Sequence, residues 1–212
     1  LAGWNEFPAN LERVEVVLTP PADEIAGLQL SGYETSERLK YRNAYYVEVI
    51  KRAKYVEPGA AGFGVLAVAP PPALPACLAP DSSRCHYDIS VIVHIITNKL
   101  LNHLPFYRQS EMFARLGITF GRSVMCDYFV KVSIALQPLY ETLCRLILEC
   151  QVLQADETGL SMLDPGSGKT RKTWIWVRKT GIGPPLTAFH FDLSRSSGVA
   201  QKLLGNYHGT IL

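Results

Sequence analysis

The first 76 residues contain neither cysteine nor histidine. A tetrahedral zinc site needs four such ligands, so this stretch is expected to be free of zinc. Cysteine is sparse elsewhere too: Cys77, Cys85, Cys126, Cys144 and Cys150 make an odd set with no Cys-x-x-Cys pair. That excludes a four-thiolate centre and argues against a disulfide framework, so a reducing cytoplasm is the expected setting. Cys85-His86 offers two ligands with no second pair at finger spacing. Long apolar runs are missing as well. The longest, Ile89 to Ile96, is broken by Ser90 and His94 and falls far short of the ~20 residues a membrane span needs. Nor is there a strong charge of one sign: the net charge is +2, which gives no global basic field. Apolar residues at 48% and charged ones at 19% are ordinary for a globular protein. Leu1 at the start and Gly209-Thr210-Ile211-Leu212 at the end read as cuts in a longer protein.

The pattern along the chain changes three times. Residues 1–57 read as β-rich. Val14-Glu15-Val16-Val17-Leu18 is a short strand ended by Pro20-Pro21, and Ala44 to Val56 alternates apolar and charged residues as a half-exposed strand pair does. Val14, Val16, Leu18, Tyr45, Val47 and Val49 would form its core, which is marginal unless it docks on something larger. Residues 58–80 hold Ala, Gly and Pro, including Pro70-Pro71-Pro72, and read as a linker.

Residues 81–150 are helical in pattern. Ile89, Ile92, Val93, Ile96 and Leu100 fall on one helix face. Phe106 to Arg115 forms a second helix, and Gly117 suits its C-terminal turn. Ser123 would cap a third, to about Leu136, and Pro138 would open a fourth, to Cys150. Helix, Gly-containing turn, helix is the spacing of a helix-turn-helix, which leaves Arg108, Arg115, Arg122 and Lys131 to face outward. Such a cluster is either a solvated bundle surface or a DNA contact.

Residues 151–212 switch to strands at 152–156, 173–178 and 186–191. A helix over 198–204, capped by Ser197, and a strand opening at Gly209 follow. Three strands, a helix and a strand open an RNase H-like fold. The expected class is therefore α+β in several parts: a β-rich N-terminal segment, a helical middle, and the first half of an RNase H-like α/β core.

The acidic pair Asp156-Glu157 closes the first of these strands. It marks either a solvated strand end or a metal-facing carboxylate. Gly166-Ser167-Gly168-Lys169-Thr170 suggests a phosphate loop, but Leu163 stands where that motif needs Gly, and the segment joins two strands. It reads instead as a basic hairpin loop, with Lys169, Arg171 and Lys172 either solvated or set against DNA phosphates.

The run Leu101-Asn102-His103-Leu104-Pro105-Phe106-Tyr107-Arg108-Gln109 is similar to a signature of the sixty-six family of insertion-sequence transposases. Phe113-Ala114-Arg115 with Gly117-Ile118, Gly121-Arg122-Ser123, Gln154 to Thr158, Asp164-Pro165-Gly166, Gly168-Lys169-Thr170, and Trp174 with Trp176-Val177 follow in that family's order. The likeness covers about residues 69–212 well and 9–57 loosely. It implies a DDE-type transposase that cleaves DNA and transfers the strand, using Mg²⁺ or Mn²⁺. It matches Asp156 to the first catalytic acid and metal ligand, with the second expected within a few residues of Leu212 and the third far beyond. DNA (transposon ends and target) and further copies of the protein are the implied partners, in the bacterial cytoplasm, with no membrane role.

Two departures stand out. Lys54-Tyr55-Val56-Glu57 replaces a family segment that carries a zinc-binding Cys, so residues 1–57 resemble a degenerate zinc ribbon. Gly159 stands where Pro is usual. Two other readings share these residues: a DNA-binding remnant that no longer cuts, and an RNase H-like nuclease unrelated to transposition.

Overall fold

The computed structural model describes residues 7–59, 65, 67–70, 86–164 and 166–212. Most of the expected 58–80 linker, which holds Cys77, lies outside them, as does Cys85. The chain divides into two compact units, Leu1–Ile134 and Ala135–Leu212.

In the first unit, β2 (Gln29–Arg42) and β3 (Ala44–Val56) form a long antiparallel hairpin. Asn43 turns it with φ 63°, a conformation Asn visits more readily than most residues because its short polar side chain can hydrogen-bond locally. The alternation over 44–56 is thus one strand, paired to a partner earlier in the chain. The segment β1 (Arg13–Leu18) adds to the far edge of β3 in parallel, and β4 (Ala67–Val68) also pairs with β3.

Two helices pack on this sheet, α1 (Ile89–Leu100) and α2 (Phe106–Arg115). Asp88 caps α1 by accepting the Ser90 N–H at 3.0 Å. Leu39, Val47 and Val49 of the sheet share one core with Val91, Ile92 and Ile95 of α1 and with Phe113, Ile118, Phe120 and Met125. The β-rich segment therefore docks on the helices and does not rely on β1, where Val14 and Val17 are exposed. The buried face of α1 is Val91, Ile92, Ile95 and Asn98, so the expected face is rotated: Val93 and Leu100 are exposed.

The expected third and fourth helices are one helix, α3 (Arg122–Leu148), with Pro138 inside it. It begins at Arg122, so Ser123 lies in its first turn and is not its cap. Proline at 138 has no N–H for the Ile134 carbonyl one turn earlier. The division between the two units falls directly after Ile134. Every residue from Ser133 to Leu139 is exposed, so this stretch is helix without a packed face.

The second unit is built on the meander β5 (Val152–Leu163), β6 (Thr170–Thr180) and β7 (Thr187–Asp192). Next come α4 (Ser197–Leu204) and β8 (Thr210–Ile211), which pairs in parallel with β5. The sheet order is β7-β6-β5-β8. Ser196 precedes α4, one residue earlier than the expected cap, and its side chain makes no capping bond. Ile147, Leu153 and Ala188 form the core of this unit, with Leu143, Leu148 and Leu204 packed around them. The fold as a whole is mixed α and β, as the sequence implies.

Candidate functional site

Residues alternate between the two faces of β5, and the ladder fixes which side chains share a face. Ala155 pairs with Arg178, and Arg178 with Ala188. Arg178 and Ala188 are buried, so this is the covered face of the sheet. Asp156 pairs with Val177, and Val177 with Phe189, on the opposite face. There Asp156 is exposed, and Phe189 and Phe191 are 63% and 45% exposed. The carboxylate thus stands on an open sheet face beside apolar neighbours. Its Oδ1 accepts the Glu157 N–H at 2.8 Å.

The two acids of the pair have different surroundings. Glu157 shares the covered face and is ion-paired through Oε1 with Nε of Arg195. Arg195 also lies over the Trp174 ring, 5.1 Å from its centroid, and Lys172 lies 4.7 Å from the same centroid. One indole thus carries two cations, an arrangement its negative ring face favours. No local spacing marks Arg195 as a partner, because 38 residues separate it from Glu157.

The strand β8 runs alongside this acid. Val152 pairs with Thr210 and Leu153 with Ile211. The Leu212 N–H donates to Leu153 O at 2.8 Å, and the Ala155 N–H donates to Leu212 O at 3.2 Å. Leu212 therefore sits level with Gln154, one step short of Ala155.

The loop 164–169 joins β5 to β6 as a hairpin, in agreement with the sequence reading, and not as a strand-to-helix phosphate loop. Gly166 and Gly168 take φ of 83° and 65° there. Lys169, Arg171 and Lys172 are all exposed. By alternation Arg171 shares the face of Asp156, and Lys172 shares that of Glu157 and Trp174.

The other four expected cations belong to the first unit. Arg108 donates from Nε to the Tyr107 hydroxyl at 3.0 Å, Arg115 ends α2, and Arg122 opens α3. Arg108, Arg115 and Arg122 are exposed, while Lys131 is half-buried, 5.8 Å from the Tyr128 ring centroid. None of the four enters an ion pair among the described residues. The motif around them has a structural role as well. Buried Gln109 donates from Nε2 to Ile95 O at 3.1 Å and Leu104 O at 3.0 Å, which ties α2 to α1 and the loop between them.

A divalent metal would need several carboxylate oxygens. Among the described residues no group of three or more His, Cys, Asp or Glu side chains is placed to hold one. Asp156 offers one open carboxylate and Glu157 is committed to Arg195, so these residues do not make a metal site by themselves. Among the described residues no helix is long and apolar enough to cross a membrane.

Asp156 thus stands on the first strand of a meander that a parallel fourth strand flanks and a basic hairpin loop follows. Residues 84–212 match the family described as "Transposase IS66 family", and the chain belongs to that family. Its relatives include the uncharacterized protein y4qI of Sinorhizobium fredii, 33% identical over 97% of this chain and 38% of its own length. The uncharacterized proteins y4jD and y4hP of the same organism are 33% and 25% identical over 58% and 97% of this chain. The chain spans 25% of y4jD and 37% of y4hP. It thus corresponds to well under half of each relative.

Proposed function

We infer that this chain is part of a transposase in which Asp156 is the first of the carboxylates that hold divalent metal for DNA strand cleavage and transfer. One observation carries the reading: Asp156 is the open acid of β5, on the strand that β8 flanks in parallel. The order β7-β6-β5-β8 agrees with an RNase H-like sheet, in which the second acid follows the fourth strand. That acid and a third come from chain beyond Leu212. Mg²⁺ or Mn²⁺ supplies charge for the leaving oxygen when it is bound. Within this chain Asp156 contributes one hard oxygen ligand, and Glu157, held by Arg195, is not a second. Zinc has no part in this reading.

DNA is the proposed partner, met through two sets of cations. Lys169, Arg171 and Lys172 flank the acidic strand, while Arg108, Arg115, Arg122 and Lys131 lie on the helical part, 81–150. The proposed division of labour follows: 81–150 binds DNA and 151–212 begins the catalytic core. The β-rich 1–57 supports the helices across the 58–80 linker. Self-association on DNA in the bacterial cytoplasm completes the reading.

Binding of duplex DNA, measured as a function of salt, tests it. Each phosphate contact contributes about one unit to the slope of log affinity against log salt. Reversing Lys169, Arg171 and Lys172 to Glu should lower both affinity and slope. A triple variant that binds DNA as wild type does, with the same slope, overturns the assignment of this loop.

A further inference from the structure

The first unit contains a cavity of about 670 Å³ that the catalytic reading does not use. Its size is that of a small-ligand site. Tyr41 and Tyr45 of the hairpin tip, His94 of α1, and Met112 and Arg115 of α2 line it. Tyr41, Tyr45, His94 and Phe113 bring four aromatic rings to its walls. His94 stacks on Tyr41 with ring centroids 3.7 Å apart, and Tyr45 meets His94 edge-on at 5.7 Å.

Polar chemistry is sparse here but specific. Asn102 donates to Asn98 Oδ1 at 2.7 Å, which turns the Asn98 amide nitrogen toward His94 Nε2 at 2.9 Å. His94 Nε2 is then the acceptor, and its proton sits on Nδ1. Burial lowers the His94 pKa and so favours the neutral ring. No acceptor for Nδ1–H is found among the described residues. Gln109, also in the lining, keeps a buried acceptor, Oε1, without a partner. Arg115 makes no ion pair among the described residues, and its only hydrogen bond there runs from Nε to Glu111 O.

Stacking surfaces, a neutral ring donor and an unpaired guanidinium are the parts that hold one unstacked nucleotide: rings for the base, Arg115 for its phosphate. An aliphatic side chain from a protein partner would need neither the donor nor the cation. We propose that this cavity captures a single unpaired DNA base displaced from the duplex. The proposal rests on the reading of the chain as a DNA-acting transposase and adds a site on its helical part.

The test uses the 212-residue chain with a short single-stranded oligonucleotide carrying one central 2-aminopurine, and with the duplex made from its complement. Met112, at 42% exposure, can be enlarged without disturbing the core. Met112→Trp should fill the cavity and weaken single-strand binding about tenfold, with duplex affinity within about twofold of wild type. Quenching of 2-aminopurine on binding should occur with wild type and vanish with Met112→Trp. Unchanged single-strand affinity in Met112→Trp overturns the proposal. So does an equal loss for both DNA forms, or a change in self-association alone, which would make the cavity a protein contact. If wild type binds the duplex and the loop reversal abolishes that binding, but no base is quenched, the cavity proposal fails and the loop assignment stands. Absence of all DNA binding removes both.

Discussion

Arg195 holds Glu157 by an ion pair, so the two neighbouring acids of β5 are not equivalent. Glu157 is 18% exposed and Arg195 is 62% exposed. Solvent therefore screens much of the attraction. A double-mutant cycle on Glu157→Gln and Arg195→Ala should give a coupling of no more than about 1 kcal/mol, and less at high salt. A coupling above about 2 kcal/mol that resists salt would mean the pair is far better shielded than its exposure indicates.

Gln109 and Arg108 are adjacent in the family-like motif but differ in burial. Gln109 is 2% exposed and serves two carbonyls, whereas Arg108 is exposed and its side-chain contact is to Tyr107. Gln109→Ala should cost about 2–4 kcal/mol in urea unfolding, because two carbonyl acceptors lose their donor and packing is lost. Arg108→Ala should stay within about 0.5 kcal/mol. Equal effects would remove the structural role assigned to Gln109.

Pro138 interrupts α3 where the helix is exposed on every side. Alanine there restores an N–H for the Ile134 carbonyl and removes the ring clash. Pro138→Ala should therefore stabilise the chain by about 1–3 kcal/mol, read as a rise in melting temperature. A fall would show that the proline relieves some strain in α3.

Much of this was legible from local pattern, and the failures share one cause. The hairpin loop at 164–169 follows from its glycines and its flanking strands. Asp156 stands out because an apolar strand leads to it. Ile89 to Ile96 is apolar nearly all round, so periodicity along α1 fits two phases. The sheet residues Leu39 and Val47 choose between them, and Asn98 joins the buried side with His94 and Asn102 as partners. Pro138 looked like a helix start because proline favours first turns. The helix runs through it regardless, since losing one bond is tolerable in a helix of 27 residues. The contact of Arg195 with Glu157 and Trp174, and the aromatic cavity, are tertiary facts that no spacing reveals.

The central claim is that Asp156 is a metal-holding acid. It predicts that the 212-residue chain, with one open carboxylate at this site, cleaves no DNA with Mg²⁺ or Mn²⁺. In the intact transposase, Asp156→Asn keeps the shape of the side chain but loses its charge. The direct measurement is strand cleavage of transposon-end DNA by the intact protein and this variant, with binding followed in parallel. Loss of cleavage by at least about a thousandfold, with DNA affinity within about twofold, is the predicted result. Cleavage by the variant at near wild-type rate would contradict the account.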